Sequence, residues 1–172
     1  MKKHVVLVGL PGSGKTTIGR LAAEQLHAAF VDIDAILARR EGKSITLIFA
    51  EKGEAAFREM ERKEMDAALA GEPSVVAPGG GWAAQPGAIE TAQSCALVVY
   101  LRTRVETAAP RTATEGTRPL LIGEDPMDRM RQLLKEREPF YLKAHTQLDT
   151  ERKTAEEVAR EVVRLAQSSA GW

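Results

Sequence analysis

The sequence of 172 residues predicts a single α/β domain with helices on both faces of a central parallel β-sheet. Short apolar runs alternate along the chain with segments whose apolar residues recur at helical spacing, as in βαβ units. The first apolar run breaks into glycine, proline and serine before a helical pattern resumes. Four such runs, together with a candidate edge strand near the C-terminal end, predict a five-stranded sheet in a three-layer α/β/α arrangement.

Composition and charge exclude several classes of protein. The 24 lysine and arginine residues equal the 24 aspartate and glutamate residues, so no net basic field favours nucleic acid. No apolar run approaches the roughly 20 residues of a membrane span, and the run near the N-terminus is too short for a signal peptide. The single cysteine, Cys95, excludes an internal disulfide and is expected to be a buried strand residue. We therefore expect a cytoplasmic protein.

In the first part of the chain, two strands are followed by helices. The apolar run His4–Gly9 predicts the first strand, and the helix after Lys15 carries apolar residues at helical spacing. Phe30–Asp32 is the second strand and ends in the acidic tripeptide Asp32-Ile33-Asp34. Periodicity and the breaks between segments then predict three helices, Ala35–Arg40, Ile45–Glu51 and Glu54–Leu69.

The later part of the chain continues this alternation. Asp125 suits a helix N-cap and Pro126 the first helical position, while Pro139 should end or bend that helix. Thr154 and Glu157 form a capping box that opens a final amphipathic helix. The other expected elements are the strand Ser74–Ala77, a short helix after Pro86, the strand Cys95–Leu101, the helix Val105–Arg111 and the edge strand Gln147–Asp149.

The segment Val5–Thr17 contains a phosphate-binding loop, Gly9-x-x-x-x-Gly14-Lys15-Thr16, with a match at every fixed position. Glycines let the backbone N–H groups turn toward phosphate oxygens, and the following helix points its positive end at the same anion. Lys15 supplies positive charge for the terminal phosphates, and the Thr16 hydroxyl suits Mg²⁺. The loop predicts a nucleoside triphosphate site that includes Gly12, Ser13, Gly14, Lys15, Thr16 and Thr17.

Two carboxylates follow the second strand. Asp32 and Asp34 are two residues apart on a segment expected to be extended, so they should project to the same side. One of the two carboxylates could order the water shell of Mg²⁺, while the other accepts a proton from an attacking hydroxyl or orients it. Either residue could instead cap the next helix.

Glycines and arginines supply the remaining candidates. Gly79-Gly80-Gly81 follows a buried strand, so a ligand could lie against bare backbone there, although a flexible loop is the alternative. Arg58 follows Phe57 on a highly charged helix and could simply pair with a neighbouring glutamate. The charge pattern alone favours exposed surface positions for Arg58, Arg118 and Arg137.

Together these motifs resemble the shikimate kinase family, part of the nucleoside-monophosphate-kinase-like branch of the P-loop fold. The resemblance covers essentially the whole chain, and its most specific part is the block from Gly42-Lys43-Ser44-Ile45 to Phe57-Arg58-x-x-Glu61. It implies a core of residues 1–32, 62–111 and 125–172, a substrate-binding subdomain at 33–61 and a mobile lid at 112–124.

The resemblance also implies roles for the candidate residues. Lys15, Asp34 and Arg118 would be catalytic, with Arg118 entering on the lid, and Arg111 and Lys153 would flank the adenine of ATP. Thr16 and Asp32 would serve Mg²⁺. The residues implied for shikimate are Asp34, Phe49, Phe57, Arg58, Glu61, Gly79, Gly80, Gly81 and Arg137.

The activity implied is transfer of the γ-phosphoryl group of ATP to the 3-hydroxyl of shikimate, by a monomer without nucleic acid or membrane partners. Two other functions remain open at this point. Another small-molecule kinase of the branch, such as a gluconate kinase, would share the phosphate loop. A binding module without catalysis would keep the pocket and lose a reacting group, yet Lys15, Thr16, Asp34 and Arg118 are all present.

Overall fold

The computed structural model describes the backbone of residues 1–115 and 125–172 and the side chains of residues 1–112 and 125–172. Within these ranges five strands form one sheet in the order β2-β3-β1-β4-β5, and every pairing is parallel. The predicted parallel sheet is thus confirmed. The strands are β1 His4–Val8, β2 Phe30–Asp32, β3 Val75–Ala77, β4 Ala96–Arg102 and β5 Thr146–Asp149.

Helices cover both faces of this sheet. Alternate residues of β1 belong to two separate cores, because successive side chains of a strand point to opposite faces. Val5 and Leu7 pack with apolar residues of α1 and α7, and Val6 and Val8 pack with those of the other helices. The helices are α1 Lys15–Leu26, α2 Ile33–Glu41, α3 Ile45–Ala70, α4 Ala88–Ala92, α5 Val105–Glu115, α6 Pro126–Tyr141 and α7 Ala155–Ser169.

Helix α3 joins two segments that the sequence predicts as separate helices. Gly53 lies inside it with φ 83° and ψ 167°, which is not a helical conformation, so the helix is kinked there. Glycine adopts this positive φ without the steric cost that other residues incur. The predicted break is therefore present, but the two segments run on as one element.

Several element boundaries differ from the prediction. Helix α6 continues past Pro139 to Tyr141, so the proline does not end it. Proline has no N–H to donate to the carbonyl of Lys135, four residues earlier. Because Lys135 and Pro139 are both exposed, water can bond that carbonyl instead. Cys95 is partly exposed in the turn before β4, so the expected buried strand thiol is wrong. Its Sγ lies 3.6 Å from the carbonyl oxygen of Ala92 at the end of α4.

The two helix caps predicted from sequence are confirmed. The Asp125 side chain accepts hydrogen bonds from the first turn of α6, and Pro126 is the first helical residue. Thr154 and Glu157 form a reciprocal capping box at the start of α7. No helix in the described part of the chain is both long enough and apolar enough to cross a membrane.

Candidate active site

The phosphate-binding loop connects β1 to α1 at the carboxyl edge of the sheet. Gly12 and Gly14 have φ of 80° and 91°, so the tight turn uses conformations that glycine adopts readily. Gly14 is the N-cap of α1 and has no side chain to bond the first turn. No capping side chain therefore competes with an anion at that turn, and the helix dipole favours negative charge there.

The Lys15 ammonium is held against this loop. Its Nζ donates hydrogen bonds to the carbonyl oxygens of Gly9 at 2.7 Å and Leu10 at 2.8 Å. Nζ also lies 3.5 Å from Oγ of Ser13, which is buried in the loop. A positive charge is thus positioned at the mouth of the anion site before a ligand arrives.

Thr16 and Asp32 place hydroxyl and carboxylate oxygens beside the phosphate loop. Oγ1 of Thr16 donates a 3.1 Å hydrogen bond to Oδ2 of Asp32, while Oδ1 of Asp32 accepts one from the N–H of Ala35. Asp32 is therefore the N-cap of α2, which confirms the capping interpretation, and its other carboxylate oxygen bonds Thr16.

The oxygens of Thr16 and Asp32 suit Mg²⁺, but they do not suit a metal whose ligands all come from the protein. Among residues 1–112 and 125–172 no group of three or more His, Cys, Asp and Glu side chains could hold a metal ion. Mg²⁺ is a hard cation that usually binds one or two protein oxygens and completes its shell with water and phosphates. A hydroxyl and a carboxylate next to a phosphate loop meet that requirement.

A cleft of about 450 Å³ borders one side of the loop. Arg111 of α5 reaches across it, and its Nη1 donates a 3.0 Å hydrogen bond to the carbonyl oxygen of Gly12. Lys153 also lines this cleft, and its Nζ pairs with Oε1 of Glu161 at 3.1 Å. The predicted nucleotide residues that line this cleft are Gly12, Ser13, Gly14, Thr17, Arg111 and Lys153.

Other residues that line the nucleotide cleft were not predicted from the sequence. Ile18 and Val158 supply apolar surface, and Thr150 and Thr154 supply hydroxyls. Thr150 follows the edge strand β5, and edge loops of a parallel sheet carry no local signal of ligand contact. Only the general rule that ligands bind beyond the carboxyl ends of the strands could have found them.

A second cleft, of about 300 Å³, lies on the other side of the loop. Lys15 and Thr16 line it together with Asp32, Asp34 and Gly80, so the phosphate loop faces both clefts. Asp34 lies in the first turn of α2, so the expectation that it stands on an extended segment is wrong. The helix starts at Ile33 because Asp32 caps it, and both aspartates still reach the cleft.

The glycine run after β3 lies where four charged side chains converge. A Cβ added at Gly79 would overlap Oε2 of Glu61 and lie 2.7 Å from Oδ1 of Asp34. At Gly80 it would lie 3.0 Å from Nη1 of Arg137, and at Gly81 it would overlap the Arg58 guanidinium. Three residues without side chains therefore let two carboxylates and two guanidinium groups approach the backbone closely.

Arg58 is not the surface arginine that its helix suggests. Its side chain is 14% exposed, and Nη1 donates a 3.1 Å hydrogen bond to Oε1 of Glu61, which is 1% exposed. The guanidinium carbon lies 5.6 Å from the ring centroids of both Phe49 and Phe57. Within the described residues, the buried Nε of Arg58 has no hydrogen-bond partner, so one donor remains for a ligand.

Glu61 and Tyr141 titrate abnormally because they are buried. Desolvation is the main cause that raises the pKa of Glu61 from 4.5 to about 7, the charge of Arg58 opposes it, and the charge of Asp34 adds to it. Burial likewise raises the pKa of the Tyr141 hydroxyl. Glu61 can therefore gain or lose a proton near neutral pH, whereas Tyr141 stays neutral.

Helix α6 contributes Arg137 and, one turn later, Tyr141. Arg137 is 7% exposed, and Tyr141 donates a 3.0 Å hydrogen bond to the carbonyl oxygen of Gly80. Sequence analysis gave Tyr141 no site role, although its i,i+4 spacing from Arg137 places both on one helix face. Arg118 and residues 116–124 of the proposed lid at 112–124 lie outside the described residues, whereas α5 extends through residue 115.

Comparison with known proteins is consistent with this geometry. A family model described as shikimate kinase matches residues 11–167. The shikimate kinase of Caldanaerobacter subterraneus is 40% identical over 162 residues, 94% of this chain and 95% of that protein. The shikimate kinase of Acinetobacter baumannii in complex with shikimate is 37% identical with a TM-score of 0.92, covering 98% and 94% of the two chains. A gluconokinase from Sinorhizobium meliloti, 21% identical with a TM-score of 0.61 over 99% of this chain and 94% of that one, shares only the fold.

Proposed function

The chain belongs to the shikimate kinase family, and from that premise we propose how its residues phosphorylate the 3-hydroxyl of shikimate with ATP to give shikimate 3-phosphate and ADP. One observation carries the assignment of residues. Lys15 and Thr16 line a cleft with Asp34 and Gly80, beside the converging Arg58 and Arg137. The terminal phosphates and a carboxylated polyol can therefore meet at this cleft.

The two arginines suit the carboxylate of shikimate. Guanidinium groups offer planar pairs of donors that match a carboxylate. Arg137 is buried and Arg58 is only 14% exposed, and such hydrogen bonds are strong where water is largely excluded. Arg58 approaches from α3 and Arg137 from α6, so the substrate carboxylate would join two helices at the glycine run. Phe49 and Phe57, whose ring centroids are 4.6 Å apart, each lie within 5.6 Å of the Arg58 guanidinium carbon and pack beside it.

Asp34 is the residue proposed to act on the reacting hydroxyl. It lines the cleft with Lys15, so a hydroxyl bound to its carboxylate would face the phosphate loop. A carboxylate there can orient the hydroxyl and accept its proton as the new O–P bond forms. In-line transfer needs little more than this positioning together with neutralisation of charge on the phosphates.

Mg²⁺ would be held by Thr16 and Asp32, whose oxygens already adjoin the phosphate loop. The ion would neutralise charge on the phosphates of ATP. The protein contributes Lys15, which stands over the same loop. The nucleotide base would lie in the cleft between Arg111 and Lys153.

We propose that Arg118 stabilises the negative charge that develops on the transferred phosphoryl group. The residue falls outside the described part of the chain, and its role rests on the resemblance of Arg118-Pro119-Leu120-Leu121 to the family pattern. We further propose a cytoplasmic monomer that needs neither nucleic acid nor a membrane, in keeping with the balanced charge of the chain.

The function is tested by a coupled assay of ADP release with ATP, Mg²⁺ and one of three acceptors: shikimate, quinate or gluconate. Shikimate should be the preferred acceptor by kcat/KM, and omission of Mg²⁺ should abolish turnover. Gluconate also carries a carboxylate and hydroxyls, so it controls for acceptance of any sugar acid. Preference for gluconate would contradict the proposal, and binding of shikimate without turnover would indicate a non-catalytic module.

A further inference from the structure

Glu151 lies in the loop between β5 and α7, and its carboxylate bonds α5. Other residues of this loop line the nucleotide cleft: Thr150, Lys153 and Thr154. We propose that Glu151 is a positioning residue for ATP, because it fixes this loop to the first turn of the helix that carries Arg111 across the same cleft. The inference rests on the proposed function, since it takes ATP as the ligand of the cleft.

The residue before α5 cannot cap that helix with its own side chain. Arg104 stands there, and its carbonyl oxygen accepts hydrogen bonds from the N–H groups of Thr107 and Ala108. An arginine side chain has only donors, so it cannot bond the free N–H groups of a first helical turn. Glu151 supplies the acceptor. Its Oε1 accepts from the N–H of Arg104 at 2.9 Å, and its Oε2 accepts from the hydroxyl of Thr107 at 3.1 Å.

This arrangement is a capping box built from two segments of the chain. In an ordinary capping box, a Glu or Gln at the third helical position accepts the N–H of the residue before the helix. The third residue of α5 is Thr107, and its hydroxyl instead donates to Glu151, 44 residues later, which accepts that N–H. The negative charge of Glu151 also suits the positive end of the α5 dipole.

A second contact joins the same two segments. The N–H and the hydroxyl of Thr150 donate to the carbonyl oxygen of Arg102 at 3.0 and 3.1 Å. The hydroxyls of Thr150 and the buried Thr103 lie 2.7 Å apart. Arg152 has a φ of 58°, a left-handed conformation that is uncommon outside glycine and persists where the surrounding structure holds it. The shape of the loop therefore depends on its bonds to the start of α5.

Further along, α5 meets the phosphate loop. A Cβ added at Gly12 would lie 2.5 Å from the carbonyl oxygen of Ala108, so the backbone of α5 packs directly against that loop. Arg111 donates to the Gly12 carbonyl oxygen at 3.0 Å and lines the nucleotide cleft. The bonds of Glu151 thus join two parts of the cleft lining through one helix. ATP binds to parts that are already in place, without the entropy cost of ordering them.

Kinetics and calorimetry of Glu151→Ala test this role. We expect KM for ATP, and the Kd of ADP with Mg²⁺, to rise by about tenfold. KM for shikimate and kcat at saturating substrates should change by less than about twofold, because the lost interaction favours nucleotide binding alone. A residue needed only for folding would lower stability without separating the two KM values. Equal KM for ATP in wild type and variant would overturn the proposal.

Two further variants separate hydrogen bonding from charge. Glu151→Gln keeps an oxygen that can accept the Arg104 N–H, so KM for ATP should lie within about threefold of the wild-type value. Glu106→Ala is the matched control, because it removes an exposed carboxylate from the same first turn of α5 and should leave KM for ATP as it is. If Glu106→Ala raised KM for ATP as much as Glu151→Ala, charge at the helix end would explain the effect and the proposal would fail.

Thr107→Val tests the bond from the side of α5, also in case Glu151→Ala does not fold. Valine keeps the branched shape and removes the hydroxyl that donates to Glu151. Alone it should raise KM for ATP severalfold, and in the Glu151→Ala background it should add nothing, because both changes remove the same interaction. An unchanged KM in Thr107→Val, or effects that multiply in the double variant, would contradict the coupling.

The outcome can be separated from failure of the proposed function. If wild-type protein neither binds ATP nor phosphorylates shikimate, the function itself fails. If wild type turns over normally and the variants at Glu151 and Thr107 keep its KM for ATP, only the positioning role of Glu151 fails.

Discussion

Tyr141 on α6 donates a 3.0 Å hydrogen bond to the main-chain carbonyl oxygen of Gly80, and this bond ties the helix that carries Arg137 to the glycine run. The hydroxyl is buried, so the bond is shielded from water and holds a fixed distance between two parts of the substrate cleft. The position of Arg137 therefore depends on a residue that would not itself touch the substrate.

Tyr141→Phe removes this bond and leaves the Gly80 carbonyl without that donor. The free energy of unfolding should fall by about 1–3 kcal/mol, and KM for shikimate should rise severalfold while KM for ATP is unchanged. Tyr100→Phe is the control, since its hydroxyl donates to Glu138 at 2.6 Å outside the cleft. That variant should lose stability without a change in KM for shikimate, and an equal effect of both substitutions on KM would contradict the role of Tyr141.

Gly79→Ala should block the substrate cleft. The added methyl group would overlap Oε2 of Glu61 and approach Oδ1 of Asp34, so both carboxylates must move. We expect kcat/KM for shikimate to fall by about 10²-fold or more, because a displaced Asp34 no longer aligns the hydroxyl. Binding of ATP, measured by calorimetry, should remain, because the nucleotide cleft does not include this residue.

The matched control for that substitution is Gly71→Ala at the end of α3. There the added methyl group would lie 3.5 Å from the carbonyl oxygen of Ala68, an ordinary contact, and φ is −87°. This variant should keep normal activity. If Gly79→Ala were as active as Gly71→Ala, the crowding at the glycine run would not matter for catalysis.

The sequence predicts the parts of the site whose chemistry is local. The phosphate loop needs residues that are contiguous, from Gly9 to Thr16, and each of them has its function through its own backbone or side chain. The approach of Arg58 to Gly81 is different, because it depends on how α3 packs against the sheet. On a helix full of charges, Arg58 has the same local pattern as an exposed arginine. Only the resemblance of the whole chain to a family distinguished the two cases.

Boundary errors have a related cause. The extended segment expected at Asp34 is a helical turn, because the side chain of Asp32 bonds the N–H of Ala35 and starts α2 early. The same carboxylate also bonds Thr16, sixteen residues earlier in the sequence. The sequence offers capping and a metal-site role for Asp32 as alternatives, whereas in the structure one oxygen caps α2 and the other bonds Thr16, so the cap does not exclude the metal role.

Asp32→Asn separates those two roles. Asparagine is as good an N-cap as aspartate, so stability should change little, but it lacks the negative charge that favours a cation. The Mg²⁺ concentration for half-maximal activity should rise by about ten- to a hundredfold. Asp66→Asn, at an exposed carboxylate that pairs with Arg62 on α3, should leave the Mg²⁺ dependence as it is. An unchanged Mg²⁺ requirement in Asp32→Asn would remove Asp32 from the metal site.

Arg118→Ala tests the residue that the family resemblance places on the lid. If its guanidinium stabilises charge on the transferred phosphoryl group, kcat should fall by about 10²–10³ with a smaller effect on KM for shikimate. Arg131→Ala, which removes an exposed arginine paired with Asp128 on α6, is the control and should retain its turnover. Near-normal kcat in Arg118→Ala would refute the assignment.

The raised pKa of Glu61 also predicts a pH dependence of stability in the absence of substrate. Between its ordinary value of 4.5 and about 7, folded protein retains a proton on Glu61 that unfolded protein releases. The free energy of unfolding should therefore fall as pH rises through this window, by up to about 1.4 kcal/mol per pH unit from this group. Glu61→Gln cannot ionise, so its stability relative to wild type should increase from about pH 5 to pH 8.

Urea unfolding of both proteins across that range measures the difference, in which the contributions of all other groups cancel to first order. Glu64→Gln serves as the control, because its carboxylate lies on the same helix and pairs with Arg40. Its unfolding free energy should run parallel to that of wild type at every pH. Parallel curves for Glu61→Gln and wild type would mean that burial does not raise the pKa of Glu61 in the folded protein.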